Sequence, residues 1–449
     1  MSTQLDLSHF GSPYWLDLPR PTFATLDRNL NAEAVVIGSG IAGMKIARCL
    51  AREGVDAVIL EAGRACDGAS SRNQGSINQG PNMSYPDCIR RHSRDIAREL
   101  WQMGLENHRL LKSQIDEYHI DCDYQVDGFT SLARRDEADW HDRVEAYRRE
   151  SDLLREDGFD VTFLNEQQAE QVGGNSIYAG GMRYESDAQF HSGKYAIGLV
   201  QGVTRLPHVQ LFETARVHEI ESTGTRTVVK TENHTIETER VFLSTNALVP
   251  QFIPGLASAL RAERGQVFVT EPLAERPCQG SFGTSLAWWR EIIERDGRFR
   301  LLFGGGRERE EPDSLFPQFT SDGGPNPRLE AEGFRPSLAH QRRLDEQFQL
   351  LFPHLADVRI THRWGGLQSF TADDVPQAGL LDTERNIYGI AGFCGRGNCH
   401  SDVCAEHIVS KALGVESNVS NRFGFLIETM MQAPRKSADW KPWQSEQSL

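Results

Sequence analysis

One stretch limits the choice of fold more than any other: Ala34-Val-Val-Ile-Gly-Ser-Gly-Ile-Ala-Gly43. Four small apolar residues run straight into Gly38-x-Gly40-x-x-Gly43. An apolar run ended by glycines reads as a buried parallel strand turning into a helix. Gly38 permits the tight turn. Gly40 lets a pyrophosphate lie against bare backbone, and Gly43 lets the helix pack closely on the strand. The helix start then offers free N–H groups and a partial positive charge to phosphate.

Glycine triplets also occur in ordinary turns, so the flanks decide. Met44 to Glu53 carries Met44, Ala47, Leu50 and Ala51 as an apolar helical set, and Gly54 follows as a stop. A second strand, Asp56 to Leu60, closes on Glu61, eighteen residues beyond Gly43. A carboxylate there takes the ribose hydroxyls of an adenosine. An acid rather than an arginine disfavours a 2′-phosphorylated cofactor. The unit predicts a dinucleotide site.

Composition narrows the class. The chain of 449 residues can bury more than one core. Its apolar runs are strand-sized, so no membrane span is expected. A formal charge of −15 argues against nucleic acid as a partner. The polar, acidic start does not read as a secretory signal. Eight scattered cysteines suit a reducing compartment, and a cytoplasmic location is expected.

Along the chain, residues 1–30 carry Pro13, Pro19, Pro21, Tyr14, Trp15 and Phe23, and read as an arm laid over a domain or, alternatively, a partner-binding tail. After Glu61, the loop Gly68-Ala-Ser-Ser-Arg-Asn-Gln-Gly75 is rich in small and hydrogen-bonding residues, suited to folding back over phosphates and a polar ring. Residues 85–120 and 136–157 read as helical, the second as a solvated charged face. Asn165 is an expected N-cap. Strands are expected at 209–212, 216–220, 227–231, 235–238 and 240–247, then at 265–270, 287–293 and 299–306. Alternation in the last three suggests one packed face and one lining face. Residues 310–336 read as an excursion loop and 338–352 as helix. Asn386 to Phe393 reads as a last parallel strand, and Gly395-Arg-Gly-Asn398 opens a helix to about Leu413.

These segments together resemble the FAD-dependent amino-acid oxidase superfamily, the group of D-amino-acid oxidase, glycine oxidase and sarcosine oxidase. The likeness runs from about Ser12 to Leu413. Its parts are Tyr14-Trp15, the three glycines, Glu61, the 68–75 loop, Leu301-Leu-Phe-Gly-Gly-Gly306, Trp364-Gly-Gly366 and Gly392-Phe-Cys-Gly-Arg-Gly397. The resemblance implies an α/β (α+β) flavoenzyme. A Rossmann-type FAD-binding domain would be assembled from segments 31–105, 164–255 and 357–415. An inserted mixed-sheet substrate domain would take 106–163 and 256–356, leaving 416–449 as a tail. It further implies non-covalent FAD, with Ile41 and Ala42 beside the pyrophosphate, Glu61 on the ribose and Val217 at the adenine. Ser70, Ser71, Arg72, Asn73 and Gly75 would line the flavin. Gly395, Arg396 and Gly397 would start a helix facing its pyrimidine edge.

The chain departs from the family at four places. Gly395-Arg396-Gly397 stands where the family usually has Gly-His-Gly. Cys399 stands where sarcosine oxidases carry a carboxylate-binding lysine. No cysteine lies near Gly366 to attach the flavin. Leu302 stands near the place of the lysine that promotes reaction with dioxygen.

The candidate catalytic residues are His191, Arg290, Trp364 and Arg396. His191 with Lys194 could touch substrate or simply serve a helix start. Trp288 and Trp289, neighbours on a strand, must point to opposite faces. Arg290 beside them could pair with a substrate anion or a surface acid. Cys394, Cys399, His400, Cys404 and His407 are dense, but their spacing fits no zinc or iron–sulfur pattern, so no metal is expected. The expected reaction is oxidation of a CH–NH bond in an amine or amino-acid-like substrate. Hydride would pass to flavin, with dioxygen or another electron acceptor downstream. The alternatives are a 2-hydroxy-acid dehydrogenase, with His191 or His400 as base, and a dinucleotide binder without redox turnover.

Overall fold

The computed structural model describes residues 9–305, 315–321 and 324–428. The strand leading into the glycines, β1 (Leu30–Ile37), is buried on both faces, as an unbroken apolar run requires. It pairs in parallel with β2 (Ala57–Leu60) on one side and β11 (Thr235–Leu243) on the other. The parallel sheet continues through β2 to β8 (Val209–Phe212) and through β11 to β19 (Ile387–Ala391). An antiparallel edge, β18 (Gln377–Asp382), closes it.

Alternation along these strands divides two cores. Ala34, Val36 and Ile59 face a layer of α1 (Ile41–Arg52), α3 (Arg94–Glu117), α6 (Ser192–Val203) and α10 (Gly397–Leu413). Val35, Ile37, Val58 and Leu60 face the opposite way. There the antiparallel β9 (Val217–Ser222) and β10 (Thr227–Thr231), with α7 (Val249–Phe252), cover them. Helices α2 (Tyr85–Arg91) and α11 (Asn418–Ile427) extend the first layer.

The second sheet runs β16-β12-β15-β14-β13-β4-β6-β5, with β17 also along β12. Its strands are β4 (Phe129–Arg134), β5 (Val161–Leu164), β6 (Tyr178–Tyr184), β12 (Arg261–Thr270), β13 (Ser281–Gly283), β14 (Ala287–Ile293), β15 (Phe299–Gly305), β16 (Leu315–Phe316) and β17 (Ile360–Phe370). One face packs Phe268, Trp289 and Phe303 under Phe348 and Phe352, at and beyond the end of α9 (Leu338–Leu351). The other packs Val267, Val269, Ile292, Leu302 and Trp364 against Trp15 of the arm. Helices α4 (Trp140–Glu156), α5 (Glu166–Gly173) and α8 (Arg328–Gly333) complete the α-helices among the described residues. Asn165 caps α5 in a reciprocal box with Gln168, at 3.0 and 2.9 Å. A two-stranded ribbon, β3 (Ser76–Ile77) with β7 (Ala188–Gln189), stands apart from both sheets.

Several details differ from the sequence expectation. The stretches expected as separate strands at 235–238 and 240–247 form one strand, β11, ending at Leu243. Glu239 and Arg240 do not break it, because a strand half covered by β10 tolerates polar residues on its open side. Strand pairing also crosses the expected domain segments: β6 falls within 164–255 and β17 within 357–415, yet both pair in the second sheet. The excursion at 310–336 contains β16 and α8. The tail begins as α11, while its Trp440 and Trp443 lie outside the described residues, as do Gly306 and residues 1–8.

Candidate cofactor site

A cavity of about 690 Å³ is lined by both the β1–α1 turn and the start of α10. The turn itself shows why glycine is needed. Gly38 has φ +101°, a left-handed backbone that side chains disfavour. A Cβ on Gly43 would stand 1.9 Å from the Gly38 carbonyl oxygen. Gly43 therefore serves helix-to-strand packing and does not line the cavity. A Cβ on Gly40 would instead come within 2.9 Å of Ser70 Oγ, in space the cavity uses. Ser70 Oγ accepts the Ile41 N–H at 2.9 Å, bringing the 68–75 loop over the first turn of α1. Glu61 takes Ser39 N–H at 3.0 Å, Ser39 Oγ at 2.7 Å and Gly63 N–H at 2.9 Å, which fixes its carboxylate at the cavity wall.

Gly38, Gly40, Ile41, Ala42, Glu61, Ser70, Arg72, Asn73, Val217, Gly395 and Gly397 all line this cavity. Four other expected cofactor residues do not. Besides Gly43, Ser71 is turned inward, donating to the Cys66 carbonyl. Gly75 lies under the Phe190 carbonyl. Arg396 sits between two lining glycines, but its charge is felt at Asp187, Tyr184, Cys399 and His400.

Sequence reasoning had not singled out several lining residues. Arm residues Gly11, Ser12, Pro13, Leu16, Asp17 and Arg20 form part of the wall. So do Ser244, Thr245 and Asn246, which follow β11. The signal was available: small polar residues ending a parallel strand sit at the ligand end of such sheets. Thr245 Oγ1 is buried without a hydrogen-bond partner among the described residues, as a wall awaiting a polar ligand requires. Arg216 and Glu330 form a two-pronged ion pair, at 2.9 and 2.7 Å, and line the cavity together with Val217.

Two of the four candidate catalytic residues, Trp364 and Arg290, meet Trp15 of the arm at one short loop. Trp364 Nε1 donates to the Arg72 carbonyl at 3.0 Å. Trp15 Nε1 donates to the Asn73 carbonyl at 2.7 Å. Arg290 Nη1 donates to the carbonyls of Gln74 at 3.4 Å, Gly75 at 3.2 Å and Phe190 at 2.8 Å. Four consecutive carbonyls, Arg72 through Gly75, are thus each held from the second sheet or the arm. Asn73 Oδ1 in turn accepts Gly75 N–H at 2.7 Å, Ser192 Oγ at 2.8 Å and Asn398 Nδ2 at 3.1 Å. Asn73 and Asn398 both line the cavity, so the clamp reaches the wall through them.

His191 is the N-cap of α6, its Nδ1 accepting Lys194 N–H at 3.3 Å, with its ring against Tyr14 and Trp15. Burial, then Lys194 and Arg290, pushes it down to about 3, so it is neutral at pH 7. Burial lowers Arg290 and Arg72 to about 10, which leaves both charged. His400 is buried and pushed to about 3 by burial and Arg396. Among the described residues no group of three His, Cys, Asp or Glu side chains could hold a metal ion, and no helix is long and apolar enough to cross a membrane.

A glycine-lined βα turn, an acid closing the next strand and a second helix start on the same cavity mark a dinucleotide-binding protein. The chain belongs to the FAD dependent oxidoreductase (DAO) family, which matches residues 33–411. It is 28% identical to the probable oxidoreductase OrdL of Rhizobium meliloti over 423 residues, 92% of this chain and 91% of that protein. It is 27% identical to the gamma-glutamylputrescine oxidoreductase of Escherichia coli over 388 residues, 84% of this chain and 82% of that protein. Glycine oxidase from Geobacillus kaustophilus shares the fold, with a TM-score of 0.70 at 19% identity, covering 87% of this chain and 96% of that one. The protein is therefore an FAD-dependent oxidoreductase with a Rossmann-type nucleotide sheet and a second mixed sheet.

Proposed function

We propose that this enzyme oxidises a CH–NH bond of an amine or amino-acid-like substrate, giving an imine that hydrolyses to a carbonyl compound and a free amine. The carrying observation is the make-up of the cavity wall. Its ionisable lining side chains are Asp17, Arg20, Glu61, Cys66, Asp67, Arg72, Arg216 and Glu330, with neither histidine nor lysine among them. A hydroxy-acid dehydrogenase needs a base for the hydroxyl proton. His191 and His400, the candidates for that base, lie outside the lining. An amine that reacts unprotonated makes no such demand. The name of the Escherichia coli relative supports the same reading.

FAD, held without a covalent bond, supplies the acceptor for hydride when bound. In this reading Ile41 and Ala42 hold the pyrophosphate, Glu61 the ribose and Val217 the adenine. Arg72, Asn73, Gly395 and Gly397 meet the flavin. The chain's own work is orientation: the clamp behind Arg72–Gly75 keeps the wall in one shape, and the start of α10 directs its partial positive charge into the cavity. Dioxygen or another electron acceptor takes the electrons onward. Eight unbridged cysteines suit the reducing cytoplasm as the site of action.

Anaerobic mixing with a panel of amines and hydroxy acids tests the reading. Bleaching of the yellow flavin band by amines alone is expected. Bleaching by hydroxy acids alone would replace the reaction, and bleaching by neither would leave a binding protein.

A further inference from the structure

The two helix starts that line the cofactor cavity are tied together one turn behind it. Ile41 of α1 and Asn398 of α10 both line the cavity. One turn further along each helix stand Lys45 and Asp402, and they form a buried ion pair. Lys45 Nζ also donates to Ser401 Oγ at 2.8 Å. From α3, Gln114 Nε2 donates to the other carboxylate oxygen of Asp402. Lys45, Gln114, Ser401 and Asp402 are each at most 2% exposed.

Asn107, also on α3 and fully buried, enters α10 itself. In an α-helix the N–H of Asp402 closes a turn on the carbonyl of Asn398. The Asn107 side chain takes both groups. Its Nδ2 donates to the Asn398 carbonyl at 2.8 Å, and its Oδ1 accepts Asp402 N–H at 2.8 Å and Val403 N–H at 3.3 Å. A side chain that enters the helical ladder reshapes the turn it enters. This turn carries Gly397 and Asn398 on the cavity wall, and the first N–H groups of a helix have no partner within it. Asn398 passes the constraint on, because its Nδ2 donates to Asn73 Oδ1 at 3.1 Å and to the Ser76 carbonyl at 3.3 Å. Through one residue, Asn107 reaches both the start of α10 and the clamped loop.

We propose that Asn107 is a positioning residue for the flavin: it holds the first turn of α10 with its free N–H groups directed into the cavity, and so favours the reduced, negatively charged cofactor. The proposal rests on the placement of the flavin at the start of α10 given above, and not on the identity of the substrate. Two electrons and one proton convert oxidised flavin to an anion charged at N1 and the neighbouring carbonyl. The partial positive charge of a helix start falls off within its first turn, so its effect on that anion depends on how the turn is held. Packing alone does not call for an amide at 107. With an apolar side chain there, Asp402 N–H and the Asn398 carbonyl could close an ordinary turn on each other. The Lys45–Asp402 pair has a matching use. A buried ion pair adds little net stability over apolar residues of its size, but this one fixes the spacing of two helix starts whose like partial charges repel.

The test is the two-electron potential of the bound flavin, from anaerobic dithionite titration of the holoenzyme beside a reference dye. Asn107→Leu should bind reduced FAD about tenfold less tightly relative to oxidised FAD, which lowers the potential by about 30 mV. Asn165→Ala removes the α5 cap, away from the cavity lining, and is the control for lost stability. It should leave the potential unchanged, and a fall equal to that of Asn107→Leu would overturn the proposal. Asn398→Ala alters the cavity wall itself. A shift there with none in Asn107→Leu overturns the role of Asn107 alone. No shift in either variant overturns the placement of the flavin at α10, and the proposal with it. If Asn107→Leu yields no holoprotein, Asn107→Ala takes its place under the same outcomes.

Discussion

Replacing Trp15 with phenylalanine tests whether the arm belongs to the cofactor site. The change keeps an aromatic ring in a fully buried position and removes one N–H. That N–H donates to the Asn73 carbonyl at 2.7 Å. Leaving a buried carbonyl without its donor costs about 1–3 kcal/mol. The Arg290 guanidinium also lies 5.6 Å over the Trp15 ring, and exchanging indole for benzene weakens that contact by roughly 0.5 kcal/mol. The sum, about 1.5–3.5 kcal/mol, falls on a loop whose next neighbours are the cavity wall. The Asn73 side chain joins Gly75, Ser192 and Asn398, so a carbonyl that swings to find water takes that junction with it. If about 1.4 kcal/mol of the loss is felt only in the FAD complex, the Kd for FAD rises tenfold. Fluorescence titration of apoprotein with FAD measures this, and denaturant unfolding of the apoprotein measures the remainder. An unchanged Kd with the whole loss in apoprotein stability would reduce the clamp to ordinary packing. Trp364→Phe removes the neighbouring N–H, and the two changes should couple rather than add, because they hold one loop.

Three further outcomes are expected. Gly43→Ala should abolish stable folding or cost more than the roughly 1–3 kcal/mol typical of overpacking, because its Cβ would meet the Gly38 carbonyl at 1.9 Å; a wild-type melting curve would contradict this. Acid precipitation should release the yellow colour into the supernatant, and colour retained in the pellet would show a covalent flavin. Glu150 is buried, and its carboxyl is raised from 4.5 to about 7 by desolvation. The native state then binds more protons than the unfolded chain between those values, so stability falls as pH rises from about 4.5 to 7 and is level above. Glu150→Gln should remove that fall and gain stability at pH 8; a steeper pH dependence in the variant would reverse the sign of the argument.

The cradle was legible because its parts are contiguous. Gly38, Gly40 and Gly43 act on one turn, and Glu61 follows at a spacing set by one helix and one strand. The cap at Asn165 was legible for the same reason, since a cap acts on its own helix. Arg290 was harder. A strand position shows which face a side chain takes, and the sequence could place Trp288 and Trp289 on opposite faces. It could not show that the face with Arg290 would meet carbonyls more than 200 residues earlier in the chain. His191 and Asp187 carry the same lesson in their titration. An exposed histidine and an exposed aspartate titrate near 6.5 and 3.9. Here both are displaced in the direction of their neutral forms, to about 3 and about 7. Burial causes both shifts, and burial is a property of the assembled chain. Local pattern therefore marked the glycine cradle and its acid, while the clamp on Arg72 to Gly75 emerges only when the second sheet and the arm come together.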